Sequence, residues 1–310
     1  MRAIEVSTYG GPDALVEVQR SEPDAAAGRV RVRVAAATVN PVDIAIRAGA
    51  MAARVDATKP IVLGWDVAGT TIDEAAGLPA GSRVVGMIPW FANGDGRGAY
   101  AEVVSLDRSW LALVPGDVPS AEAATLPLNG LTASQALGLL DLQPGQTLLV
   151  TGPSGGVGGF AVQLAAAAGV HVAAIASADD ATYVAKLGAS TVIERASADR
   201  ITEAVRAAFP GGVDAVLDGA QIGAPVLAGV RDGGRFVAVV PPAARQPERG
   251  IEVRAVEVHP DQAELARLAD LLASGRLVTR VATTVPLADA ASAHRLVEAG
   301  GLRGKVVLVN

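Results

Sequence analysis

Residues Leu148 to Gly169 read LLVTGPSGGVGGFAVQLAAAAG. Four glycines fall between Gly155 and Gly159, and only Val157 interrupts them. An apolar run precedes the cluster and an alanine-rich run follows it. This order predicts a buried strand, a tight turn and a buried helix. Gly152, Gly155 and Gly158 form G-x-x-G-x-x-G, a looser spacing than the dinucleotide fingerprint. The tight turn calls for positive φ, which glycine adopts cheaply. A pyrophosphate can approach a backbone without Cβ, and the free N–H groups of a helix N-terminus favour an anion. Taken alone, the stretch is equally readable as a flexible bend in a glycine-rich chain.

Its surroundings narrow the choice. From about residue 120 the chain alternates short apolar runs with helical stretches. "TLLVTG", "HVAAIAS", "STVIE", "VDAVLDG" and "GGRFVAVV" read as strands, and the segments between them as helices. Such alternation implies βαβ units and a parallel sheet covered on both faces. "SAEAATLPLNGLTASQALGLL" reads as one helical region with Ser120 as N-cap and Glu122 in its first turn. The first third is different. "RVRVRVAAATV" has period two, with Val30, Val32 and Val34 on one face and Arg29, Arg31 and Arg33 on the other. With "GSRVVGMI" and "GAYAEVVSL" it suggests an antiparallel sheet or partly open barrel. After Asp261 comes an amphipathic helix with Leu265, Leu268, Leu271 and Leu272 on one stripe. A further helix and the strand "KVVLV" follow.

Composition excludes several function classes. The formal net charge is −6, with no lysine- or arginine-rich block, which argues against a nucleic-acid partner. There is no cysteine, which removes thiolate catalysis and cysteine-ligated zinc. Aromatics are only 3%, so Val, Leu, Ile and Ala must build the core. The N-terminus does not read as a signal peptide. The long uncharged stretch after Asp141 is interrupted by Gln, Pro and the glycines, unlike a membrane span of about 20 apolar residues. The expectation is a cytoplasmic protein with no membrane partner.

Eight motifs, in order along the chain, resemble the medium-chain dehydrogenase/reductase superfamily in its zinc-independent quinone oxidoreductase (zeta-crystallin-like) branch. They are "AAATVNPVDIAIRAG", "PIVLGWDVAGT", "GRGAYAEVVSL", "LPLNGLTASQAL", "TGPSGGVGGFAVQLA", "GVDAVLDG", "GGRFVAV" and "GLRGKVVLV". The resemblance implies an α/β fold: a Rossmann doubly wound parallel sheet over 122–260, and a β-rich GroES-like catalytic domain built from 1–121 and 261–310. It implies a nicotinamide ring in the cleft between the two domains. Zinc-dependent members carry Gly-His-Glu where this chain has Gly64-Trp65-Asp66, so no metal is expected. His171, His259 and His294 lie outside the motifs and read as exposed or capping histidines.

The resemblance also distributes the cofactor contacts. Gly152, Ser154, Gly155, Gly156, Val157 and Gly158 would contact the cofactor, with the N–H groups around Gly156, Val157 and Gly158 on the pyrophosphate; Thr132 would lie beside the nicotinamide, and Val239 and Val240 are further cofactor contacts. NAD enzymes place an acid at the tip of the second Rossmann strand. Here that tip is Ser177, whose hydroxyl suits a 2′-phosphate, although Asp179 and Asp180 follow it. Arg195 stands where family members often carry a tyrosine near that phosphate; it is either the missing cation or a solvated loop arginine. The expected cofactor is NADPH, with NADH the alternative.

On the catalytic side, Asn40 of "TVNPVD" would lie beside the nicotinamide, either donating to the substrate oxygen, fixing the ring, or simply making a turn before Pro41. Asp43 and Asp66 read as structural. Tyrosines common in quinone oxidoreductases are replaced by Ala45 and Met51, which leaves no side-chain acid. Trp65, Trp90, Phe91 and Tyr100 stand between a substrate mouth and ordinary core. The expected activity is NAD(P)H-dependent hydride transfer to a quinone or α,β-unsaturated carbonyl. The alternative is a non-catalytic dinucleotide-binding protein, crystallin-like or regulatory. A small-molecule substrate and a homodimer are the expected partners.

Overall fold

The computed structural model describes residues 1–310 except 56–58, 94–95, 196 and 241–245. The chain forms two compact units, Asn129–Val258 and Met1–Leu128 with His259–Asn310.

The unit Asn129–Val258 is built on a six-stranded parallel sheet. Its spatial order is Thr191–Glu194, His171–Ala176, Thr147–Thr151, Val213–Asp218, Val230–Ala238, Glu252–Ala255. In chain order this is 3-2-1-4-5-6, the doubly wound Rossmann arrangement. The central strands are buried along their length, with Leu148, Leu149, Val150 and Val216 all fully covered. That is why they read as unbroken apolar runs rather than as alternation.

In the other unit, the alternation in residues 29–38 behaves as expected. Val30, Val32 and Val34 are buried, while the three arginines lie on the outer face. This strand, Arg29–Thr38, pairs with Val103–Asp107, Asp66–Thr71 and the C-terminal strand Lys305–Val309. The sheet continues through Arg83–Met87 and Leu111–Leu113, and Val281–Pro286 flanks the C-terminal strand. A smaller three-stranded sheet joins Leu15–Gln19, Arg2–Val6 and Ile61–Val62. The helix Gln262–Ala273 buries Leu265, Leu268 and Leu272 and starts at an Asp261 cap that accepts from the Glu264 N–H at 2.9 Å.

Two local expectations shift. The helical region from Ser120 is two helices, Ser120–Ala123 and Pro127–Leu140, with Pro119 at the first N-cap position. Pro127 has no N–H to continue the first helix and disfavours helical geometry at Leu126. The unit boundary follows Leu128 rather than residue 121. The chain stays with the first unit that far because the Leu128 N–H donates to the Asp66 carboxylate at 2.6 Å.

Candidate cofactor and substrate site

The glycine turn joins the strand Thr147–Thr151 to the helix Gly156–Ala167. Gly152 has φ +64°, the left-handed region where a side chain is strained. Gly158 is required for a different reason. A Cβ there would stand 2.2 Å from the Gly152 carbonyl oxygen and 3.0 Å from the Pro153 Cα. At Gly155 it would stand 3.3 Å from the same oxygen. The turn therefore folds back on the helix's first residues with no room for side chains. Gly159 makes only ordinary contact, so Gly158 is the glycine that permits the close approach. Gly156, Val157 and Gly158 are the first three helical residues, whose N–H groups have no partner within the helix. Ser154 is half-buried on the turn before them.

A second contact stiffens this turn. Asp218, fully buried at the end of the fourth strand, accepts from Thr151 Oγ1 at 2.7 Å and from the N–H groups of Ile222 at 3.0 Å and Gly223 at 2.7 Å. Thr151 Oγ1 in turn accepts from the Ala220 N–H at 2.9 Å. The loop after the fourth strand is thus bonded to the strand leading into the glycine turn. Nothing in the spacing of "VLDG" announced this role.

Ser177, Arg195, Val239 and Val240 each follow a strand of the same parallel sheet. Ser177 caps the helix Ala178–Lys186, and its hydroxyl donates to the buried Asp180 at 3.3 Å. Arg195 is exposed, and its N–H donates to the Ala176 carbonyl at 2.8 Å. That bond places Ser177 and Arg195 on adjacent strand tips. Asp180 therefore faces Ser177 and Asp179 is solvent-exposed. Val239 and Val240 follow the strand Val230–Ala238, half-buried. Thr132 is buried in the helix Pro127–Leu140.

Asn40 belongs to the other unit and is 1% exposed. Its Nδ2 donates to Asp66 Oδ2 at 2.7 Å and to Thr38 Oγ1 at 3.0 Å. Its Oδ1 accepts from the Lys305 ammonium at 2.6 Å, and Lys305 also donates to the Val39 carbonyl at 2.9 Å. An ammonium only donates and a carboxylate only accepts, so these partners set the amide orientation. Both Nδ2 hydrogens are already taken, and a bond from Asn40 to a substrate oxygen would have to break one of them.

Lys305 is the residue the sequence reading missed. The antiparallel register pairs Thr38 with Val307, and two residues further it sets Lys305 opposite Asn40. Burial pushes the Lys305 ammonium down in pKa, and Asp66 and Asp43 partly restore it. Burial raises Asp66, opposed by Lys305 and by its Thr38, Leu128 and Asn40 bonds. Burial likewise raises Asp43 to about 7, although the Asn40 and Gly64 N–H groups each bond it at 2.9 Å. Asp43 is structural, as expected; Asp66 also orients the Asn40 side chain.

His294 corrects its expectation. His171 and His259 are exposed, but His294 is fully buried. Arg47 Nη1 lies 3.2 Å from its Nδ1, and the Tyr100 hydroxyl 3.1 Å from its Nε2. A guanidinium can only donate, so Nδ1 accepts and the proton sits on Nε2. Burial and the Arg47 charge lower the imidazole pKa to about 3. Arg47, itself buried, pairs with Glu298. Trp65, Trp90 and Tyr100 are core residues, at 6%, 4% and 0% exposure.

The fold defines an α/β protein with a doubly wound Rossmann unit and a β-rich unit. Residues 26–116 match the alcohol dehydrogenase GroES-like domain, and residues 187–308 the family described as zinc-binding dehydrogenase. A chloroplastic quinone-oxidoreductase homolog of Spinacia oleracea is 35% identical over 63% of this chain and 61% of its own length. A 2-methylene-furan-3-one reductase of Solanum lycopersicum is 33% identical over 79% of this chain and 64% of its own length. The chain thus spans less than two thirds of these relatives. The quinone oxidoreductase from Coxiella burnetii superposes with TM-score 0.89 at 28% identity, covering 100% of this chain and 99% of that one. Mycobacterial Rv1454c complexed with NADPH does so with TM-score 0.83 at 30% identity, covering both chains fully. The chain belongs to the medium-chain dehydrogenase/reductase superfamily, among its quinone oxidoreductase homologues.

Among the described residues the zinc in that family description finds no fitting set of donors. The chain has no cysteine, Trp65 stands beside Asp66, and the Asp66 carboxylate is occupied by Thr38, Asn40 and the Leu128 N–H. Among the described residues no group of three His, Asp or Glu side chains is placed to hold a metal. The glycine turn, in contrast, has the chemistry a dinucleotide phosphate needs: the first N–H groups of the helix Gly156–Ala167 have no partner within the helix, and the turn packs so closely that a Cβ at Gly158 would meet the Gly152 carbonyl oxygen. No helix among the described residues is long and apolar enough to cross a membrane.

Proposed function

We propose that the protein is an NADPH-preferring, zinc-independent reductase that transfers hydride to a quinone or an α,β-unsaturated carbonyl. The observation that carries this reading is the turn at Gly152–Gly158, closed so tightly that only glycine fits at its contact point with the helix. The N–H groups of Gly156, Val157 and Gly158 would meet the pyrophosphate. Ser177 and Arg195, on adjacent strand tips, would take the 2′-phosphate, and Thr132, Val239 and Val240 would flank the nicotinamide. NADPH supplies the hydride. The protein holds it, orients the acceptor and offers a donor to the oxygen on which charge develops; the final proton comes from water.

Support from relatives is consistent in kind: one is named a quinone-oxidoreductase homolog, another an NADPH-dependent alkenal/one oxidoreductase. NADPH oxidation followed at 340 nm with a panel of quinones and enones tests the activity. Tight NADPH binding with no oxidation by any acceptor would leave the dinucleotide-binding protein as the correct reading. A homodimer through the outer strand Glu252–Ala255, at the end of its sheet, is part of the proposal and is checked by light scattering.

A further inference from the structure

Asp218 is the last residue of the fourth strand and Thr151 the last of the first. The parallel register sets them side by side. In the order 3-2-1-4-5-6 the winding reverses between these two strands, and a doubly wound sheet takes its ligands at the carboxyl ends of the strands beside that reversal. Asp218 is 0% exposed and takes three donors: the Thr151 hydroxyl and the Ile222 N–H on Oδ1, and the Gly223 N–H on Oδ2. All three partners donate, so the side chain accepts at both oxygens, which a carboxylate does and an amide cannot.

The loop that Asp218 gathers packs on the glycine turn. A Cβ at Gly219 would stand 2.8 Å from the Thr151 carbonyl oxygen, and one at Gly152 would stand 3.5 Å from the Ala220 backbone nitrogen. The Ala220 N–H is itself held by Thr151 Oγ1. Between these anchors Gln221 adopts φ +57°, which a non-glycine residue keeps only where its surroundings fix it. The fixing groups are Thr151 and Asp218, which hold the N–H groups of Ala220, Ile222 and Gly223. From Gly152 the contact passes on. Its carbonyl oxygen accepts from the Gly155 N–H at 3.1 Å and leaves no room for a Cβ on Gly158. One buried carboxylate thus reaches, through Thr151 and the turn, the residues that open the helix Gly156–Ala167.

We propose that Asp218 is a positioning residue for the dinucleotide's pyrophosphate, a role that rests on the cofactor reading above. It acts through Thr151 rather than by touching the phosphate. It fixes Thr151, and with it the peptide at Gly152, so that the N–H groups of Gly156, Val157 and Gly158 form a set before the anion arrives. Without Asp218 the turn loses its backing, and cofactor binding has to order it.

The test uses three variants. Asp218→Asn turns an N–H₂ toward one of the donors, Thr151→Val removes the hydroxyl but keeps the shape, and Thr151→Ser keeps the hydroxyl. By calorimetric titration, NADPH affinity should fall about tenfold in Asp218→Asn and Thr151→Val and stay near wild type in Thr151→Ser. The loss should follow the pyrophosphate. ADP-ribose 2′-phosphate, which carries one, should weaken as NADPH does; adenosine 2′-monophosphate, which lacks one, should bind as it does to wild type. In the free protein, amide hydrogen exchange over residues 152–158 should quicken in the first two variants. Unchanged NADPH affinity, unchanged exchange, or an equal loss for both fragments overturns the proposal, the last because it means general loosening of the unit. Should Asp218→Asn lose its fold, Thr151→Val against Thr151→Ser decides alone. A wild type that binds no NADPH fails the cofactor reading itself, and the role of Asp218 with it.

Discussion

The Lys305 ammonium donates to the Asn40 side-chain oxygen across 2.6 Å, between residues 265 positions apart. The same ammonium lies among the buried carboxylates of Asp66 and Asp43. Removing one partner of a buried charge cluster strands the others and typically destabilises by about 3–5 kcal/mol. Lys305→Met, which keeps the stem and deletes the charge, should show a loss of that order in urea unfolding. An unchanged midpoint would mean the carboxylates are already neutral in the folded chain.

Gly158 and Gly138 are both helical glycines with opposite expectations. A methyl at Gly158 meets the Gly152 carbonyl oxygen at 2.2 Å. Gly158→Ala should weaken NADPH binding at least about tenfold and lower the melting temperature, because the turn must open to admit Cβ. Gly138 is exposed in the helix Pro127–Leu140 with open space around it. Gly138→Ala should raise stability by about 0.5–1 kcal/mol through helix propensity alone. Calorimetric titration and thermal unfolding of the pair separate a steric role from a general tolerance of alanine.

His294 makes stability depend on pH. Its pKa is about 3 in the folded protein against 6.5 ordinarily. Between those values the unfolded chain binds a proton that the folded chain does not, so this residue's contribution rises with pH across the window. Asp43, raised from 3.8 to about 7, acts oppositely over nearly the same range: the folded chain keeps the proton and stability falls as pH rises. The wild-type curve therefore blends the two. The difference between wild type and His294→Gln should grow in favour of wild type from pH 4 to pH 7. A flat difference would show that His294 takes up its proton in the folded state.

Arg195 has an exposed side chain on the strand tip next to Ser177. If it meets a 2′-phosphate, Arg195→Ala should reduce NADPH affinity about tenfold and leave NADH affinity unchanged. An unaltered ratio of the two would return Arg195 to the role of a solvated loop residue. Ser177→Ala should act in the same direction, with the smaller effect of a neutral donor.

The amino-acid sequence by itself determined the fold class and the location of the glycine turn. Continuous apolar runs between helices specify a parallel sheet because both faces are covered. The valine and arginine alternation of residues 29–34 specifies a one-sided strand because successive side chains point opposite ways. These are local periodicities, legible without knowing what lies across the sheet. The partners of Asn40 were not legible. They arise from the register that sets Lys305 opposite Asn40, and from the fold that returns Asp66 to it. The same holds for His294, whose neighbours Arg47 and Tyr100 lie 247 and 194 residues away. The tertiary structure alone decided which tryptophan is satisfied. Trp65 and Trp90 lie in the same core, and the Val62 carbonyl, brought within 2.8 Å of the Trp90 indole N–H, pairs that one, while the Trp65 indole N–H has no partner among the described residues.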